Sequence, residues 1–253
     1  MRLPAIRGLI ERRLLINYRV DPSALAAFLP PPFRPRTFRG VGVAGICLIR
    51  LRQIRPTFLP GWVGVSSENV AHRVAVEWEE AGSIRQGVYI PRRDTDSRLN
   101  AWAGGRLFPG VHHRARFTVD EHGDRLEVAL ESDDGRTRVS VCGRRCDRLP
   151  PSSIFGTLEA ASDFFEVGSV GYSPTSRPSR FQGVELRCLR WAVQPLAVAE
   201  VRSSFFEDPG LFPPGSIELD NALLMRNIEH EWHGRADLCC GTAARHPEPA
   251  DAA

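Results

Sequence analysis

Apolar residues recur at every second position through much of the chain, the period of strands with one covered face. Leu14, Ile16 and Tyr18 alternate in this way ahead of a short helix. Asp21 opens that helix as N-cap and Pro22 as first-turn residue, and it runs through Ala24 to Leu29 before Pro30-Pro31-Pro32 stops it. From Val41 to Leu51 nearly every position is apolar, which predicts a strand covered on both faces; another strand follows at Val70, His72, Val74, Val76 and Trp78. Val88 and Ile90 mark a further strand, expected to end at Pro91 before a polar turn, Arg92-Arg93-Asp94-Thr95-Asp96. A short helix from Ser97 to Trp102, halted by Gly104-Gly105, comes next.

Three strands in meander order are predicted over 111–119, 125–131 and 136–142, joined through His122-Gly123 and Asp134-Gly135, residue types that tight hairpin turns select. Ile154, Leu158, Ala161 and Phe165 have helical spacing. A loop rich in Ser and Pro at 171–180 precedes two strands, 184–193 and 197–206, and a last apolar stretch runs from Leu219 to Trp232. The tail, 241–253, is expected to be disordered. No repeat or composition shift divides the chain, so one domain over 1–240 is the economical reading. Its class is α+β but mainly β: a large, mostly antiparallel sheet with a few peripheral helices.

Charge adds little at first: over 253 residues, 33 basic against 30 acidic side chains leave +3, which selects no nucleic-acid partner. The basic residues are all arginine, and lysine does not occur. A GC-rich genome is the bland explanation. The chemical consequence holds regardless, since a guanidinium stays protonated and cannot form a Schiff base, a pyridoxal aldimine or the lysine contact of a phosphate-binding loop. Hydrophobic residues at 42% and charged ones at 25% fit a globular protein with a full core. Arg2, Arg7, Glu11, Arg12 and Arg13 interrupt any apolar leader, so a cytoplasmic protein with no membrane partner is expected. The six cysteines form no CxxC pair, which points to reduced thiols and to neither a disulfide framework nor a zinc site. No cofactor is called for, and a homo-oligomer stays open.

Candidate chemistry centres on the strand at 111–119. Alternation puts Val111, His113, Ala115, Phe117 and Val119 on one face and His112, Arg114, Arg116 and Thr118 on the other. His113 among core-facing residues would stay neutral and serve as a general base, or else simply satisfy a buried carbonyl. If His112 is the inward residue instead, Arg116 enters with it. Arg92 and Arg93, with Asn100 nearby, could hold an acidic substrate, or could pair with Asp94 and Asp96 and only order the turn. Glu68 and His72 share a strand face and could form an acid–base pair. The run Glu229-His230-Glu231-Trp232-His233 offers at most two ligands on one face, so no metal is expected. The common hydrolase, dinucleotide-binding and metalloprotease readings are set aside.

Four segments together resemble an uncharacterised bacterial family, domain of unknown function 2071, related to acetoacetate decarboxylase. They are Tyr18-Arg19-Val20-Asp21-Pro22 with Leu29-Pro30-Pro31, Gly87-Val88-Tyr89-Ile90-Pro91, Arg106 to Ala115, and Gly168 to Pro174. The resemblance covers about residues 10–235. It implies a large β-barrel or cone with an internal ligand cavity and small helices packed on it. In the decarboxylase, adjacent lysines after a Gly-Phe-Pro segment make the Schiff base; the comparable stretch here is Pro109-Gly110-Val111-His112-His113, with histidines in their place. The expected function is therefore general acid–base chemistry on an oxo-acid or related carbonyl compound. His113 or His112 would be the acid or base, Glu68 or His72 its partner, Arg92 or Arg116 the carboxylate anchor, and Asn100 a further substrate contact. The alternative is a non-catalytic cavity that sequesters or senses a small molecule.

Overall fold

A computed structural model describes residues 5–106 and 108–239; the predicted disordered tail lies outside the described residues. In chain order the strands and helices are β1 Ile6–Val20, α1 Pro22–Phe28, β2 Arg34–Pro35, β3 Thr37–Phe38, β4 Val41–Pro56, β5 Val65–Glu80, β6 Ser83–Thr95 and α2 Arg98–Ala103. There follow β7 His113–His122, β8 Arg125–Ser132, β9 Arg138–Arg145, α3 Leu158–Val167, β10 Val170–Pro174, β11 Arg180–Cys188, β12 Gln194–Ser203 and β13 Ile217–Cys239. The molecule is mostly β, and apart from short parallel contacts of β6 with β7 and β10 the pairing is antiparallel.

The sheet closes into rings. One runs β6-β7-β8-β9-β12-β13-β1-β4-β5 and back to β6; the pairing of β11 with β13 and β10 with β6 closes a second over the same β13-β1-β4-β5-β6 wall. That shared wall is buried on both faces, and this is why β4 is almost continuously apolar. Leu14, Ile16, Ile46, Val70 and Leu224 face the first ring, where Val128, Val141 and Leu196 of the far wall meet them. Leu15, Cys47, Ala75 and Leu223 face the opposite way, toward α3. Neither recess described below is lined by a buried residue of the first cluster.

The helices form where the sequence caps them. Asp21 accepts from the Ser23 backbone N–H at 2.8 Å, Ser97 from Asn100 at 3.2 Å and Thr157 from Ala160 at 3.1 Å. The third cap places the start of α3 at Leu158, later than the apolar spacing predicts, because Gly156 turns the chain at φ +74° just before it. Ala161, Phe164 and Phe165 then seal the outer face of the wall.

Two segments read as loops are strands. Residues 92–95 continue β6, since Ile90 and Pro91 are accommodated at a bulge opposite β5, where a missing N–H costs no ladder bond. Residues 170–174 are β10, paired with β11 as a hairpin whose loop is only 175–179, and β11 and β12 each lie several residues earlier than predicted. Among the described residues no helix is long and apolar enough to cross a membrane.

Candidate functional site

The start of β7 gathers the charged groups that the meander makes available. Arg92 directs Nε to both oxygens of Asp94 at 3.0 Å and grips Asp134, in the β8–β9 turn, through Nη1 and Nη2 at 2.9 Å each. With its donors so committed, Arg92 orders the site and is no free anchor. His113 Nδ1 lies 3.5 Å from Asp134 Oδ2. Burial, then Arg92, pushes the His113 pKa below its ordinary 6.5, against the pull of Asp94 and Asp134, so the ring is neutral at neutral pH. Asp134 is held well below the usual carboxylate range by its bonds from Arg92, while burial raises the pKa of Asp94.

His113 also lines a recess of about 250 Å³ together with Ile90, Pro91, Arg93, Val111 and Ser173. Small-molecule sites commonly span about 300–1,000 Å³, so a small metabolite suits it. Arg93 follows Arg92 on a strand and therefore faces away from it. Its Nε donates to Ser173 Oγ at 3.1 Å, and Nη2 is buried with no hydrogen-bond partner among the described residues. Burial lowers its pKa to about 10, which still leaves it cationic. The sequence offered Arg92 and Arg93 together and favoured Arg92 as the anchor, because 92–96 read as a turn, where alternation carries no meaning; on a strand it would have separated the two.

The remaining candidates lie elsewhere. Inside the ring Glu68 spends its oxygens on Arg12, at 2.5 Å, and on Arg50. His72 shares that face, yet four strand residues separate the two by about 13 Å, so they form no acid–base pair. His72 is fully buried beside Phe205 and Phe206, with Nε2 3.5 Å from Ser203 Oγ, and burial followed by Arg92 lowers its pKa to about 3. His112 precedes β7, so strand alternation does not govern it. Its Nδ1 meets the Gly110 carbonyl at 3.0 Å, and burial, then Arg93, lowers its pKa to about 3. Arg116 is exposed on the outer face beside buried Ala115, which settles the register question against it. Asn100 donates to Ser67 Oγ at 3.0 Å and ties α2 to β5. Glu231 and His233 contact one another at 3.0 Å while His230 turns to the other face.

Residues 10–221 match the family DUF2071, described as an uncharacterized conserved protein. The chain belongs to that family. No curated protein matches it. For this DUF2071 chain the solved structures supply the fold. Acetoacetate decarboxylase from Legionella pneumophila subsp. pneumophila str. Philadelphia 1 superposes with a TM-score of 0.62 at 12% identity, over 93% of this chain and 88% of that one. The enduracididine biosynthesis enzyme MppR, solved in complex with pyruvate, gives 0.55 at 15% identity over 93% and 89%. An acetoacetate decarboxylase-like enzyme from Sphingomonas wittichii RW1 gives 0.54 at 12% identity over 93% and 92%. Gly40-Val41-Gly42-Val43-Ala44-Gly45 matches the spacing of the dinucleotide fingerprint letter for letter, yet the structure gives it no such role. It enters β4 with no helix after it, so no helix N-terminus is offered to a phosphate.

Proposed function

We propose that this protein catalyses proton transfer on a small oxo-acid bound in the recess beside His113. The reading rests on one arrangement: a histidine backed by Asp134 on Nδ1, opening into a recess that also presents Arg93. Arg93 takes the substrate carboxylate. In the tautomer protonated at Nδ1, the nitrogen nearer Asp134, Nε2 is the acceptor, so the neutral ring removes a proton from the carbon next to the carbonyl and the electron pair moves onto the carbonyl oxygen. Return of the proton completes the cycle. No lysine occurs among the 253 residues, so this chemistry runs without a Schiff base from that side chain. The pyruvate complex of MppR, a neighbour in fold, makes 2-oxo-acids the first class to try.

The test is deuterium exchange at the methyl group of pyruvate in D2O, followed by proton NMR. Wild type should accelerate exchange, with kcat/KM rising through a pKa below 6.5 as His113 loses its proton. His113→Ala should lower the rate by about 10²–10⁴-fold, the usual contribution of a positioned acid–base group. Arg93→Gln should act mainly on KM. Exchange undiminished in His113→Ala removes the residue from the mechanism. Saturable pyruvate binding to wild type without any exchange would instead make this a sequestering or sensing protein.

A further inference from the structure

Behind the shared wall, under α3, three guanidiniums line one recess, and of these Arg36 feels the charge of Glu77 without an ion pair to it. Arg13 on β1, Arg73 on β5 and Arg36 after β2 line this recess of about 30 Å³ together with Phe164 and Phe165. Among the described residues none of the three has an acidic oxygen within 4.0 Å, whereas Arg12, Arg50 and Arg92 each have one at 3.0 Å or less. Arg73 is the most demanding of them. It is 5% exposed, one Nη hydrogen-bonds Asn17 Oδ1, and its Nε has no hydrogen-bond partner among the described residues. Burial lowers its pKa to about 10, so it remains charged at neutral pH.

The aromatic rings orient this charge. Arg36 stacks over Phe164 at 4.0 Å and Arg73 over Phe165 at 4.9 Å, which occupies guanidinium faces and leaves the in-plane N–H edges for an acceptor. Arg36 donates one edge to the Phe164 carbonyl at 3.0 Å. Arg13 Nε donates to Cys47 Sγ at 3.0 Å, but a thiol is a weak acceptor and does not balance three cations. Arg13 acts on Arg73 as a like charge, and a buried cation in that position is costly unless a counter-charge joins it.

We infer that this recess is an anion site, distinct from the one beside His113, and that it takes a small inorganic anion of chloride or bicarbonate size. A recess of about 30 Å³ has room for roughly two water molecules, too little for a phosphoryl group with its substituents. Phe164 and Phe165 belong to α3, so occupancy fastens that helix to the wall.

Thermal unfolding of the full chain, titrated with sodium chloride or sodium bicarbonate against sodium gluconate at constant ionic strength, tests this. A saturable rise in Tm with either small anion is expected, and the arm that responds identifies the ligand. His113→Ala should retain the response, which separates this site from the proposed catalytic one. Arg73→Gln should abolish it. Should that variant fail to fold, Arg36→Gln and Arg13→Gln, at half-buried positions, should each raise the half-saturating concentration about tenfold, the loss of one charge-assisted hydrogen bond. No saturable response to either anion, or responses in Arg36→Gln and Arg13→Gln equal to wild type, would overturn the assignment.

Discussion

Arg12 is wholly buried within the ring, and its guanidinium is divided between Glu68 and Glu121, each at 2.5 Å. Glu121 belongs to β7, across the ring from β1, and also binds Arg50 at 3.0 Å and Arg226 at 2.8 Å. The cluster therefore ties opposite walls together through charge where the neighbouring layers use Leu14, Leu48 and Leu224. Replacing Glu68 with Gln leaves three arginines sharing Glu121 and should cost about 3 kcal/mol, as breaking a buried pair does. Adding Arg12→Met should return a good part of that loss, because the unpaired charge goes with it. Urea unfolding of the single and double variants measures the coupling, and strictly additive losses would refute it. The sequence placed Glu68 and His72 on one inward face correctly, from strand parity alone. It did not reveal that Glu68 is taken by Arg12, since Arg12, Arg50 and Glu121 come from strands far apart in sequence, and only register aligns them.

The β5–β6 connection illustrates what local pattern does and does not carry. Glu80 pairs with Ser83, leaving Ala81 and Gly82 as a two-residue turn with φ of +50° and +74°. Gly82 takes this conformation freely; Ala81 does not, since its Cβ crowds the backbone there by about 1 kcal/mol or more. Ala81→Gly or Ala81→Asn should accordingly raise the unfolding free energy by up to about 1 kcal/mol without altering the urea dependence, and an unchanged midpoint would contradict the turn geometry. The hairpins at Gly123 and Gly135 were legible because their turn residues are the favoured ones, whereas Ala-Gly between two charged stretches gave no such sign. Similarly β6 was cut short at Pro91: the bulge that admits the proline is fixed by β5, not by residues 90–92 themselves. Local pattern located α1 by its caps, β4 by an unbroken apolar run and the meander by its turn residues. It missed β10, whose five residues are held by partners on either side.

At the scale of the molecule, closing a sheet around apolar layers traps ionisable groups that no local pattern marks as trapped. His72 on β5, His112 before β7 and His230 on β13 stand far apart in sequence, yet burial lowers their pKa values to about 3, 3 and 4. Each is neutral in the folded chain, while in the unfolded chain it takes a proton near pH 6.5. Between those values the unfolded state binds more protons, so stability is full above about pH 6.5 and falls as the pH drops toward 4. Each group contributes a slope of up to about 1.4 kcal/mol per pH unit, roughly 4 for the three together. The depressed carboxyls of Glu121 and Asp134 act in the same direction but only nearer their own lower range, and Asp94, raised by burial, opposes them there. The window from pH 6.5 to 5 therefore belongs to the histidines, with His113 adding a smaller part. Urea midpoints across this window should fall steeply, unfolding at pH 5 should take up close to three protons, and His230→Phe should lower the slope by about a third. A flat stability profile from pH 6.5 to 5 would mean that these rings are open to water, and with it that the ring is not closed as described.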